Sequence, residues 1–127
     1  MYQQSLFESE RNIANIQRDF LSAKPLAVRK SLGQFFTGTV VADYMANLIG
    51  KPKSKAVRLL DAGAGAGILT ASAAIRCLDL GCQSVHAVLY EIDQTVIPNL
   101  KETLEIIQET FNERRAKFTY EIYCEDF

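Results

Sequence analysis

The sequence predicts an α/β protein in which a parallel βαβαβ sheet follows two N-terminal helices and is truncated after its third strand. Three observations carry that prediction. Short apolar or β-branched runs at 57–60, 84–90 and 117–124 alternate with longer stretches of helical periodicity. A glycine-rich turn, Asp61 to Gly67, joins the first run to the helix after it. Helices of about 10 to 20 residues between successive strands imply right-handed crossovers, hence parallel strands.

Between residues 3 and 23, Leu6, Ile13, Ile16 and Phe20 recur at helical spacing, and Pro25 lies where such a helix must stop or kink. After a basic joint at Arg29 and Lys30, GQFFTGTVVADYMANLIG places Val40, Val41, Tyr44, Met45 and Leu48 on one apolar face. Thr37 or Thr39 can cap this second helix, and Gly50 suits the left-handed residue beyond its end. KPKSKAV is a loop, leading into a buried strand from Val57 to Leu60. Ile68 to Leu80 has helical Ala and Leu content and is stopped by Gly81; Ser84 to Tyr90 is the second strand. Gln94 to Asn112 carries Ile97, Leu100, Leu104, Ile107 and Phe111 on a stripe, with Pro98 tolerated only in the first turn. Lys117 to Cys124 sets Phe118, Tyr120, Ile122 and Cys124 on one face of a third strand, followed by Glu125, Asp126 and Phe127. The expected organisation is one domain over 1–127: a helical segment over 1–50 with GQFFT, and a βαβαβ half over 56–127.

A chain of 127 residues with 48% hydrophobic and 23% charged residues is long enough for one core and unlike a disordered segment. Fourteen basic against fifteen acidic residues leave a net charge of -1, so no global basic field drives nucleic-acid binding, and any such contact must be local or come from other segments. Cys77, Cys82 and Cys124 form no CxxC pair and, with His86 alone, make a poor zinc set; reduced thiols in a cytoplasmic protein are expected, and no metal. The N-terminus lacks the basic start and apolar run of a signal peptide, and no stretch approaches the ~20 apolar residues of a membrane helix.

The most informative segment is LLDAGAGAGILT, residues 59–70, with glycines at 63, 65 and 67 between a strand and a helix. Glycine lets the backbone turn tightly and approach a ligand without a Cβ in the way, and the helix start offers free N–H groups. A dinucleotide turn reads G-x-G-x-x-G and faces a pyrophosphate, which a carboxylate would repel. Here the spacing is G-x-G-x-G and Asp61 precedes it, which suits a cationic or zwitterionic ligand such as S-adenosylmethionine. Glu91, about 25 residues past the last glycine, ends the second strand where doubly wound folds place an acid on ribose hydroxyls. Neighbouring Ile92 can pack on an adenine ring, and Asp93 reads as the cap of the next helix. Asp126 closes the third strand on the same rim, where it can accept a bond from an adenine amino group while Phe127 offers a ring face.

GQFFTGTVVADYM, DAGAGAG, YEID and EDF, in that order, resemble the N-terminal part of the bacterial restriction-modification methyltransferases acting on adenine N6 in DNA, over about Lys30 to the end. The resemblance implies a partial Rossmann-like class I methyltransferase fold with S-adenosylmethionine as cofactor. It implies that Phe35, Phe36 and Thr37 flank the methyl donor and that Asp61, Ala62, Gly63, Gly65 and Gly67 hold its amino-acid moiety. Glu91 and Ile92 would take the adenosine, Asp126 and Phe127 the adenine. Two departures stand out: Gly38 replaces the family's proline after FFT, and the catalytic Asn or Asp followed by Pro-Pro and an aromatic is absent from this sequence. The chain is therefore expected to bind the donor without transferring the methyl, its parent enzyme acting on a flipped-out base in DNA. In that family a fourth strand flanks the first, so an open sheet edge, with self-association or a partner across it, is expected.

An RNA adenine dimethyltransferase, with a similar GQ-x-F segment, and a non-catalytic assembly module are the alternatives. Lys51, Lys53 and Lys55 read as a solvated loop, His86 as a core or surface histidine, and Glu113, Arg114, Arg115 and Lys117 as a solvated helix end.

Overall fold

The computed structural model describes residues 38–127, so the expected helix at 3–23 and the Phe35, Phe36 and Thr37 segment lie outside the described residues. In chain order the elements are α1 (Thr39–Asn47), β1 (Ala56–Asp61), α2 (Ile68–Asp79), β2 (Ser84–Tyr90), α3 (Ile97–Glu113) and β3 (Lys117–Tyr123). The sheet order is β1-β2-β3, with both pairs parallel: Ala56 lies opposite Ser84, and Ser84 opposite Lys117. This is the α/β, partial Rossmann-like arrangement expected from the strand-helix alternation.

Both crossover helices cover one sheet face. β2 turns Val85, Ala87 and Leu89 into the core, where they meet Leu100, Leu104, Ile107 and Phe111 of α3 and Ile68, Ala71 and Ala74 of α2. The Phe111 and Phe118 rings lie 5.4 Å apart and close the core at the β3 side. Each large apolar side chain buried here contributes about 1.5–3 kcal/mol relative to exposure. The other face carries Arg58, Leu60, His86, Val88, Tyr90 and Tyr123, and Leu60 is 58% exposed. β1, expected as a buried strand, therefore has no fully buried residue, because its outer edge and this face are uncovered among the described residues. His86 Nδ1 lies 2.6 Å from Thr119 Oγ1 and Nε2 lies 3.2 Å from Glu121 on this face, so it is a surface histidine within the sheet.

α2 ends as its sequence requires. Gly81 takes φ +94°, its N–H donates to Leu78 O at 3.1 Å, and Cys82 N donates to Cys77 O at 3.0 Å, a left-handed cap that sets the buried Cys77 and Cys82 side by side. Burial, and secondarily the Cys82 thiol, push the Cys77 thiol from 9.0 up to about 11. The unfolded chain therefore loses this proton first, so the stability contribution is intact below about pH 9 and is lost as pH rises towards about 11. Urea unfolding of wild type and Cys77→Ala across that window should show an alkaline loss larger in wild type by on the order of 2 kcal/mol; parallel profiles would contradict this assignment.

Several local expectations need correction. Gly50 is not left-handed; among the described residues the positive-φ glycines are Gly65, Gly67 and Gly81, and α1 instead ends through Leu48 and Ile49 N–H bonds to Met45 and Ala46 carbonyls. Gly38 is the N-cap of α1, with no side-chain cap bond. The expected Val40/Val41/Tyr44/Met45/Leu48 face is largely exposed, Val40 to 81%, while Ala42 and Ala46 are buried. Small side chains four residues apart let α1 approach α2 closely, and Ser72 Oγ donates to Asp43 Oδ1 at 3.1 Å along the same contact. α3 begins at Ile97 with Val96 as its N-cap, so Asp93 does not cap it. Asp93 Oδ1 instead accepts bonds from Thr95 N and Oγ1 at 2.9 and 2.7 Å, closing the turn before the helix. β3 stops at Tyr123, because its partner β2 ends at Tyr90 and the Glu91 N–H to Tyr123 carbonyl bond is the last between them. Cys124 and Asp126 therefore lie beyond the strand, and Asp126 does not close it. Arg114 is not simply solvated either: it pairs with Asp79 at 2.9 Å and ties α3 to the end of α2.

Candidate ligand site at the carboxyl ends of the strands

β1 delivers Asp61 to the carboxyl rim of the sheet, and the chain then turns through 62–67 into α2. Ala64 N donates to Tyr90 O at 3.0 Å and Gly67 N to Ala64 O at 2.9 Å, folding the loop over the end of β2. The three glycines serve different ends. Gly67 takes φ +87°, and a Cβ there would stand 2.9 Å from Leu100 Cδ1 and 3.1 Å from Thr103 Cγ2, so it is the contact point of α2 with α3. Gly65 takes φ +54°. Gly63 has no positive φ and open space where a Cβ would be, so the chain's own packing does not require a glycine there.

Two carboxylates organise this loop. Asp61 Oδ2 accepts the Thr70 hydroxyl at 2.6 Å, and its Oδ1 faces Gly63 N at 3.4 Å. Glu91, only 8% exposed, accepts Gly65 N through Oε2 at 2.7 Å and Asp93 N through Oε1 at 3.2 Å. The strand-end acid is thus a strut under the glycine loop, which the sequence reading missed. Its occupation of Gly65 N–H also bears on ligand charge: an incoming pyrophosphate would meet a carboxylate already on the loop amide and a second one beside it. Such a rim favours a ligand with positive charge and hydroxyl donors.

Ile92 is 61% exposed beside Glu91. Phe127 is exposed and packs edge-on to Tyr90, which stacks on Tyr123, with both ring separations 5.1 Å. Asp126 is exposed as well. The structure thus gathers Asp61, Ala62, Gly63, Gly65, Gly67 and Glu91 at one loop, sets Ile92 at its margin, and leaves Phe127 on the last residue of β2.

A groove of about 410 Å³ runs between α1, β1 and α2, with Met45, Ile49, Leu59, Leu60 and Leu69 among its apolar walls and Asp61 and Thr70 among its polar ones. A second recess of about 280 Å³, lined by Arg58, Leu60, Val88, Tyr90 and Phe127, opens on the opposite sheet face. Neither was anticipated, because strand periodicity does not say which faces stay uncovered. Among the described residues no strand pairs with the outer edge of β1, no cluster of His, Cys, Asp or Glu could hold a metal ion, and no helix is long and apolar enough to cross a membrane.

No family model matches the chain, and no solved structure does. Two curated relatives do. The chain is 36% identical over 100 residues to Type II methyltransferase M.BsuBI of Bacillus subtilis, covering 76% of this chain and 20% of that protein. It is 31% identical over 122 residues to Type II methyltransferase M.PstI of Providencia stuartii, covering 96% of this chain and 23% of that protein. With a parallel α/β sheet, a glycine loop braced by two carboxylates, and these similarities along most of its length, the chain belongs to the Type II methyltransferase family and spans about a fifth of the length of the members it matches.

Proposed function

We propose that this chain is the S-adenosylmethionine-binding portion of a DNA adenine-N6 methyltransferase of a restriction-modification system. The observation that carries it is the pair of carboxylates at the glycine loop: Asp61 beside Gly63, and buried Glu91 on Gly65. Bound there, the donor supplies a methyl group on a positively charged sulfur, which an amine nucleophile can take. The Asp61 carboxylate and the backbone at Ala62 and Gly63 hold the amino-acid end. Each Glu91 oxygen accepts one N–H in the structure, and a carboxylate has about four acceptor positions, so Glu91 keeps capacity for both ribose hydroxyls. Ile92 covers one face of the adenine, Asp126 accepts a hydrogen bond from its amino group and Phe127 borders it; Phe35, Phe36 and Thr37, outside the described residues, are assigned to flank the donor by the family resemblance alone.

The sequence has no Pro-Pro pair, so the residues that would accept the protons of the adenine amino group belong to the remainder of the parent enzyme, as does recognition of DNA. The open β1 edge, with an apolar groove on either side of Leu60, is the surface to which that remainder, or a second copy, adds.

Calorimetric titration tests the donor site. S-adenosylmethionine and S-adenosylhomocysteine should bind the wild-type chain saturably, and Asp61→Asn should weaken both by about tenfold or more, the loss of roughly 1.4 kcal/mol or more. NADH should not bind. NADH binding in place of the two sulfur ligands would contradict the proposal.

A further inference from the structure

We infer that Thr70 is a positioning residue for the amino-acid end of the donor, acting through Asp61; this rests on the donor site proposed above. Thr70 is the third residue of α2 and only 3% exposed. A helical threonine can turn its hydroxyl back to a carbonyl three or four residues before it. Thr110 in α3 does so, bonding Ile106 O at 2.9 Å. Thr70 instead donates to Asp61 Oδ2 at 2.6 Å, within the short range of charge-assisted O–H···O⁻ bonds.

This bond is the principal restraint on the Asp61 carboxylate, since the Gly63 N–H contact to Oδ1 is long at 3.4 Å. Asp61 is only part-buried, and a free carboxylate would rotate about its side-chain bonds into solvent. Anchored through Oδ2, it keeps Oδ1 on the loop side, next to the open space at Gly63. Asp61 and Thr70 also share a wall of the 410 Å³ groove with Met45, Leu59 and Leu69, which puts apolar surface next to the anchored charge. A ligand with an ammonium head on a short aliphatic chain matches that pairing of charge and apolar wall. A nucleoside lacking the amino acid gains nothing from it.

The test uses two ligands that differ in that feature. S-adenosylhomocysteine carries the amino-acid end, whereas 5′-methylthioadenosine keeps the nucleoside and thioether without it. Thr70→Val, close in shape but without the hydroxyl, should weaken S-adenosylhomocysteine by about tenfold or more and 5′-methylthioadenosine by less than about twofold. Thr70→Ser should restore S-adenosylhomocysteine binding to near wild type. On an Asp61→Asn background, Thr70→Val should add little further loss. Equal weakening of both ligands, or undiminished S-adenosylhomocysteine binding, would overturn the positioning role. Absence of S-adenosylhomocysteine binding by the wild-type chain would overturn the donor site itself. Should Thr70→Val fail to fold, Thr70→Ser decides, since loss of S-adenosylhomocysteine binding in a folded Ser variant also overturns it.

Discussion

Gly67→Ala should destabilise the chain by about 3 kcal/mol. The residue sits at φ +87°, where an L side chain costs about 1–2 kcal/mol. Its new Cβ would then stand 2.9 Å from Leu100 Cδ1 and 3.1 Å from Thr103 Cγ2. Leu100 and Thr103 are fully buried and cannot swing into solvent, so Leu100 must repack inside the core or α3 must shift away from the loop, which costs a further 1–3 kcal/mol or so. Gly63→Ala is the control: nothing lies within 4 Å of its added Cβ, so stability should change by less than about 0.5 kcal/mol while donor binding falls. Urea unfolding of both variants checks this, and equal losses would show that the glycines are interchangeable parts of one turn.

Glu91→Gln should cost about 2 kcal/mol of stability and about a hundredfold in S-adenosylhomocysteine affinity. Both carboxylate oxygens accept backbone N–H groups, from Gly65 at 2.7 Å and Asp93 at 3.2 Å. A carboxamide has one acceptor oxygen, so in either orientation its NH2 faces an N–H donor, and one buried donor is left without an acceptor. Hydrogen exchange reports the strut directly: protection of the Gly65 amide should fall sharply in the variant. Unchanged protection with full ligand affinity would show that Glu91 neither braces the loop nor meets the ligand.

Both effects concern positions that the sequence marks but whose tasks it does not distinguish. The three strands and the two crossover helices are legible because each rests on a local signal, such as the alternation of β2 around Val85, Ala87 and Leu89 or the stripe from Ile97 to Phe111. The glycine turn is legible for the same reason. What the sequence hides is set by tertiary partners. The docked side of α1 follows from Ala42 and Ala46 fitting against α2, and small residues carry little periodic signal beside Val40, Tyr44 and Leu48. Asp93 looks like a cap by type, yet its carboxylate is spent on Thr95 one turn early. Asp126 overshoots β3 because strand length is fixed by the neighbour, and β2 ends at Tyr90. Thr70 and the Glu91 strut depend on contacts 9 and 26 residues apart in sequence, which no local pattern encodes.

The most direct measurement is an S-adenosylhomocysteine titration of the isotopically labelled chain, followed through backbone amide resonances. A donor site at the glycine loop requires saturable shifts at Ala62 to Gly67 and at Glu91 to Asp93, with the mid-strand amides of β2 and β3 nearly still. Shifts confined to the far end of the sheet, around Lys51 to Lys55, or no saturable shift in a folded sample, would contradict it.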